Sequence, residues 1–329
     1  MNGKPQTLQE AMSYFGNEQV CIDTVARLRW QDGKPACPKC SGQDHYWLGT
    51  QKRWKCKKCG RQFSVKQGTI FEDSPLGLDK WLIALWMLVN CKNGISSHEV
   101  AGDLGITQKS AWFMLHRLRL ALQARTISAD RFGGTPHSKV EIDETYIGGK
   151  ARNMHRSKRE RLSRDGGMQG GHGKTVVMGI LERGGQVRTA VLGHKRDKKQ
   201  MHQIIEDNVM PGTWIMTDEF TNYFGLADKY THLVVNHLER YVQGNVHTQG
   251  IENFWSLLKR GLGGTYVTVE PFHLFRYVDE QAFRFNNRKD GHRKVTAAER
   301  FDIALSQIAG RRLTYAEVTG KVGGGQTIS

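Results

Sequence analysis

The sequence predicts a multidomain α+β protein: a small cysteine-stapled ribbon, then a helical segment, then a mixed α/β domain. Three observations carry that expectation. Four of the six cysteines form two C-x2-C pairs, Cys37/Cys40 and Cys56/Cys59, with fifteen residues between the pairs. Residues 95–118 place apolar side chains at helical spacing on either side of a glycine turn. From residue 139 onward, strand-like alternation gives way to helical runs and then returns. At 329 residues the chain has room for two or three domains of ~150 residues each.

The spacing C-x2-C-x15-C-x2-C is that of a zinc site. Each C-x2-C turn brings two thiolates to one Zn²⁺, and two such turns close a tetrahedral shell. One structural zinc ion held by Cys37, Cys40, Cys56 and Cys59 is the expectation. A disulfide framework would need an oxidising compartment, and a redox reading makes one of two matched pairs redundant. His45 is a spare donor beside a full shell, while Cys21 and Cys91 read as ordinary small buried residues. Residues 45–48, 53–56 and 62–65 read as three short strands, a sheet too small to fold without its metal. Lys52, Arg53, Lys55, Lys57, Lys58, Arg61 and Lys66 crowd this stretch with no acidic residue among them. Arg53 and Lys57 are taken from that cluster as candidate DNA-phosphate contacts.

Residues 78–89 are apolar enough for a buried helix. Ser96 or Ser97 can cap a following helix carrying Val100, Ala101 and Leu104. Gly105 supplies a turn, and Thr107 caps a second helix with Ala111, Leu115 and Leu118 on one side. This is a helix-turn-helix pattern, whose second helix would offer Gln108, Lys109 and Trp112 to a groove. An ordinary helical hairpin is the competing reading.

Residues 125–138 are polar with Gly and Pro and read as a linker. Residues 139–147 alternate like a strand, and 148–174 form a Gly-rich basic loop. Two further strand-like runs, 175–182 and 186–192, flank Arg183-Gly184-Gly185, a hairpin signal. Residues 197–208 are helical with Met201, Ile204 and Ile205 on one face; 213–218 and 232–235 are short strands, and 249–262 is helical. Three antiparallel-compatible strands, a helix, two further strands and a helix follow in the order of the ribonuclease-H-like fold. The expected layout is a helical lead-in at 1–35, the zinc ribbon at 36–72, the helix-turn-helix segment at 76–124, the linker at 125–138, the catalytic domain at 139–305 and a C-terminal tail at 306–329.

Composition limits the partners. Lysine and arginine outnumber aspartate and glutamate by 48 to 32, a net charge of +16, which points to a polyanion and to nucleic acid first. A second basic cluster occupies 150–164. The longest apolar run, 81–89, has nine residues, half of the ~18 needed to cross a bilayer. No basic segment followed by an apolar core opens the sequence, so a cytoplasmic protein, nucleoid-associated when bound to DNA, is expected.

Phosphoryl transfer on nucleic acid is commonly done by two metal ions held by a few convergent carboxylates. An early strand, a strand end and a late helix offer Asp143, Asp218 and Glu252. On the late helix, Ile251, Phe254, Trp255 and Leu258 form an apolar stripe, with Glu252, Ser256 and Lys259 together at its flank. An exposed helix with scattered charges would show the same flank. Alternation does not separate Asp143 from Glu141, since residues two apart share a strand face, nor does it exclude Glu144 or Glu219.

The segments Glu141-Ile-Asp143-Glu-Thr-Tyr-Ile-Gly-Gly, Thr217-Asp218-Glu-Phe-Thr-Asn-Tyr and His247-Thr-Gln-Gly-Ile-Glu252-Asn-Phe-Trp-Ser-Leu-Leu-Lys259-Arg-Gly-Leu resemble those of bacterial insertion-sequence DDE transposases. The resemblance is to the group with an N-terminal zinc ribbon, and it includes Arg29-Trp30 ahead of the first cysteine pair and the stretch 273–288. It implies that Asp143, Asp218 and Glu252 bind two Mg²⁺ or Mn²⁺ ions, with Lys259 as the basic residue after the Glu and Arg260 beside it. Some members of that group carry Asn where this chain has Glu252. It further implies binding of terminal inverted repeats, nicking of the 3′ ends, joining to a target duplex and a homo-oligomer on DNA. Two other readings are a non-catalytic zinc-ribbon/helix-turn-helix regulator and a stand-alone ribonuclease-H-like nuclease.

Overall fold

The computed structural model describes residues 4–30, 32–123, 130–135, 137–148, 156, 160, 174–194, 196–235 and 247–321. The expected basic loop at 148–174 lies almost wholly outside the described residues, as does the end of the tail from residue 322. Two compact units divide the chain. One joins the residues up to Gln123 with those from Arg293 onward, and the other is Ala124–His292.

In the first unit, Thr7 and Glu10 form a capping box that starts helix α1 (Leu8–Phe15), and the Asn17 side chain caps α2 (Glu18–Arg29). The ribbon follows as an antiparallel sheet of β1 (His45–Leu48), β2 (Arg53–Cys56) and β3 (Gln62–Phe63). One face of this sheet packs as aromatics: Trp54 stacks on Phe63 at 5.8 Å and meets Trp30 edge-on at 5.3 Å. Helix α3 (Leu78–Asn90) is apolar all round and correspondingly buried, with Leu82, Ala84, Leu85 and Leu88 fully enclosed. Helix α4 (Ser97–Leu104) opens on a Ser96/Glu99 capping box and closes at Gly105, whose φ of 59° is the left-handed conformation a side chain would oppose. Thr107 then caps α5 (Gln108–Leu122).

The second unit is built on a five-stranded mixed sheet. Its strands are β4 (Lys139–Ile147), β5 (Thr175–Glu182), β6 (Val187–Gly193), β7 (Trp214–Thr217) and β8 (Thr231–Val234), in the spatial order β6-β5-β4-β7-β8. The first three pair antiparallel, β5 and β6 through the expected hairpin, with Gly184 at φ 78°. Strand β7 runs parallel to β4, and β8 parallel to β7. Helix α6 (Lys198–Asn208) covers one face, where Met201 and Ile205 join Val140, Ile142, Met178, Ile180 and Ile215. Helices α7 (Gln249–Arg260) and α8 (Leu274–Asn286) cover the other, where Ile251, Phe254, Trp255 and Leu258 pack with Val177, Leu181, Val278 and Phe285. The apolar stripe expected on residues 249–262 is therefore the buried stripe of α7.

Two boundaries differ from the expected layout. Phe132, within the stretch read as linker, is 5% exposed and bridges to Val209 in the core of the second unit. A polar composition hid a single large apolar anchor. Helix α9 (Ala297–Ser306), expected to end the catalytic domain, belongs to the first unit, where Phe301 lies 5.3 Å from Phe15 and 5.5 Å from Trp86. The segment after it is also packed there: Ile308, Leu313 and Val318 are buried, and the short helix α10 (Tyr315–Val318) sets Tyr315 against Phe113.

Candidate functional site

The four cysteine sulfurs of the ribbon all lie within 4.8 Å of one another, with Cys37–Cys59 and Cys40–Cys56 at 3.6 Å. Each pair sits on the same local turn. Ser41 N–H donates to the Cys37 carbonyl and Gly60 N–H to the Cys56 carbonyl, and Ser41 and Gly60 both take positive φ. Turns of this kind aim two sulfurs at one point, so the set fits a tetrahedral tetrathiolate shell. His45 is not part of it: its Nε2 lies 3.0 Å from the Pro35 carbonyl and its ring packs against Phe63. Cys21 is buried as expected, whereas Cys91 is half-buried. On the ribbon's outer face Arg53 is exposed, and Lys57 pairs with Asp44 at 2.8 Å over the Tyr46 ring.

The carboxylates of the second unit gather where β4 and β7 run side by side. The parallel register pairs Glu141 with Met216 near the end of β7, and Asp218 follows just past that strand, close enough for its charge to act on Asp143. Asp218 closes a turn through the Phe220 N–H at 3.1 Å, and the Thr217 hydroxyl donates to the Asp218 carbonyl. Across the other edge of β4, Asp143 faces Gly179. A Cβ at Gly179 would lie 2.7 Å from both Ile251 Cδ1 and Trp255 Cζ2, so this glycine lets α7 settle directly over Asp143. There the Trp255 indole N–H donates to Asp143 Oδ2 at 3.0 Å. Glu252 is three residues earlier on the same helix, exposed, and accepts from the Thr248 hydroxyl at 2.8 Å.

The electrostatics agree with this gathering. Burial pushes the Asp143 carboxyl up to about 6, the charges of Asp218 and Glu252 add to the rise, and the Glu144 N–H and Trp255 indole oppose it. Glu144, on the opposite face of β4, is raised to about 7, first by burial and then by Asp143 and Asp218, despite the Tyr223 hydroxyl at 2.8 Å. Among the described residues the cysteines alone form a group of three or more metal donors within 4.8 Å, so the three carboxylates stand wider apart as a set. A buried aspartate raised by burial and by neighbouring carboxylates is the environment a divalent cation relieves.

Glu141, which alternation could not separate from Asp143, is spent on structure. It is 1% exposed, takes the Arg183 Nε–H at 2.6 Å on one oxygen and the Ile251 N–H at 3.0 Å on the other. Thr248, the N-cap of α7, makes no side-chain cap bond, so a strand carboxylate stands in for the cap. Arg183 also donates to the His247 carbonyl at 2.6 Å, fixing the chain just before that helix. No sequence signal marked Arg183 or Trp255 for these roles. Glu219 is exposed.

The remaining candidates lie apart from the carboxylates along the chain or at a helix end. Lys259 and Arg260 are exposed in the last turn of α7. In the first unit, Gln108 donates to Ser97 at 2.9 Å, and Lys109 lies over the Tyr315 ring at 4.9 Å with its ammonium exposed.

A four-cysteine ribbon thus precedes a mixed sheet that carries acidic residues at its centre, and comparison with known proteins relates both parts to transposases. Residues 135–286 match the ISXO2-like transposase domain and residues 16–62 the transposase zinc-ribbon domain. The chain thus carries two regions similar to domains of insertion-sequence transposases, a zinc ribbon followed by an ISXO2-like transposase domain. It is also 28% identical over 259 residues to an uncharacterized protein in transposable element ISH50 of Halobacterium salinarum, covering 75% of this chain and 84% of that protein. No solved structure gives a significant match. No helix among the described residues is long and apolar enough to cross a membrane.

Proposed function

We propose that this transposase acts as a DDE enzyme, nicking the 3′ ends of its element and joining them to target DNA with Asp143, Asp218 and Glu252 as the acidic triad. The observation that carries the reading is the junction of three elements at one point. Asp218 follows β7, which pairs parallel with β4, close enough to act on Asp143, and the Trp255–Asp143 bond ties the helix bearing Glu252 to Asp143. The sheet order β6-β5-β4-β7-β8, with its antiparallel hairpins and parallel pair, supports a ribonuclease-H-like assignment.

Two Mg²⁺ or Mn²⁺ ions at these carboxylates would supply activation of the attacking oxygen and stabilisation of the leaving one. The protein's own part is positioning. Glu141 and Arg183 fix the start of α7, Gly179 admits its close approach, and Trp255 orients Asp143. Lys259, two turns beyond Glu252 on the same side, and Arg260 would meet backbone phosphates.

The ribbon, through Arg53 and Lys57, and the α4–α5 pair, read as a helix-turn-helix with Gln108 and Lys109 at its reading end, would bind the terminal inverted repeats. Pairing two ends calls for a homo-oligomer on DNA. A non-catalytic regulator would use the same first unit but leave the raised Asp143 and its acidic neighbours without a purpose. The test is joining of a labelled 3′ end to a second duplex. Asp143→Ala and Asp218→Ala are expected to abolish joining while end binding is retained, and wild-type joining by either variant would defeat the triad assignment.

A further inference from the structure

The acidic site must accept a polyanion, and the carboxylates alone repel it. Among the described residues, Arg196 is a cation beside the segments that carry the aspartates, on the face of β4 that bears Glu144. Arg196 lies just ahead of α6, whose N-cap is Asp197. Its guanidinium carbon is 3.7 Å from the centroid of Phe220 and 5.3 Å from that of Tyr146. Phe220 is two residues beyond Asp218, and Tyr146 lies on the β4 face of Glu144, opposite to Asp143, so the guanidinium flanks the aspartate-bearing segments from the side of α6. The Arg196 backbone is held as well, its carbonyl accepting from Asn222 Nδ2 at 2.9 Å. Among the described residues no hydrogen bond takes the guanidinium N–H groups, and the carboxylate whose charge they favour is Glu144, next to Asp143 in β4. By contrast Arg183, also in this unit, is committed to Glu141 and His247.

A guanidinium stacked on an aromatic ring is pre-organised, and its fork of donors suits the paired oxygens of a phosphate. We propose that Arg196 grips a backbone phosphate of the DNA end beside the reacting one, setting the strand's register over the carboxylates. The proposal rests on the reading of this site as a DNA-joining centre. The ring stack explains why arginine stands here. Lysine would bring the same charge on a mobile, strongly hydrated stem, without the fork. The contact would position and not read sequence, because phosphate oxygens are the same at every step of the duplex.

The experiment measures binding of an end duplex by the full-length protein, without added divalent ion, for wild type, Arg196→Gln and Arg196→Lys. Arg196→Gln is expected to bind about tenfold more weakly and to lower the slope of log K against log salt by about 0.9, the value of one phosphate. Arg196→Lys is expected to keep the slope and recover part of the affinity. A scan of duplexes with single methylphosphonate linkages adds a readout that general loosening of the fold would not move. One neutralised phosphate next to the cleavage position should weaken wild type and leave Arg196→Gln unchanged. Additive losses at every linkage, or wild-type affinity and slope in Arg196→Gln, would overturn the proposal. Asp218→Asn, run beside them, separates this from the underlying reading: it should bind with the wild-type slope and not join, and if it joins, the carboxylate reading fails whatever Arg196 does.

Discussion

A buried ion costs several kcal/mol unless its charge is paired and its remaining lone pairs are satisfied. Glu141 meets both conditions through Arg183 and the Ile251 N–H, whereas Asp143, two residues on, meets neither fully and is pushed up to about 6. The same strand face thus carries one carboxylate that holds the site together and one left available to it. Alternation alone could not divide these roles, because the division is made by where α7 docks, and that depends on Gly179 and Gly250. A Cβ at Gly250 would fall 2.8 Å from a Glu141 oxygen. Glu141→Ala is expected to destabilise the protein by about 3–5 kcal/mol, since it strands Arg183 and uncaps the helix. Glu141→Gln, which keeps an acceptor for Ile251, should cost less. Urea unfolding measures both, and an Ala variant as stable as wild type would contradict the assignment.

Elements whose pattern is local were legible from the sequence. The hairpin at Gly184, the capped pair α4–α5 and the knuckles of the ribbon each depend on residues a few positions apart. Pairings made across the chain were not, as Phe132 shows: nothing beside it in sequence foretells its bridge to Val209. The ribbon is the element most dependent on a bound ion. Its strands span only four, four and two residues, and its aromatic face of Trp30, Trp54 and Phe63 is small. About one zinc per chain is expected. Cys56→Ser should lower that content and open residues 36–72 to protease while the five-stranded sheet stays protected. A folded, protease-resistant ribbon in metal-free protein would refute the tetrathiolate centre.

At the scale of the whole molecule, the second unit is inserted into the first along the chain, between Gln123 and Arg293. The unit with the ribbon and α1–α5 is therefore completed by residues from Arg293 onward, which follow the second unit along the chain. Phe301, 3% exposed, reaches Phe15 and Trp86, and Arg311 donates to the carbonyls of Leu120 and Gln123 at the end of α5. Sequence order suggested a boundary at 305 because it follows the chain, while the core does not. Phe301→Ala is expected to cost about 3–5 kcal/mol, with hydrogen exchange rising in α3 and unchanged in β4 and β5. Loosening of the β-strands instead would contradict this division.

The central claim is that the two aspartates and the helix-borne Glu252 form one DNA-joining site. Its most direct measurement is Mg²⁺-dependent strand transfer on the DNA ends that flank the gene, by wild type beside Glu252→Ala. The account predicts joining by wild type and none by the variant, with end binding equal in both. End binding without cleavage by wild type, in Mg²⁺ and Mn²⁺ alike, would contradict it and leave a protein that holds DNA ends without cutting them.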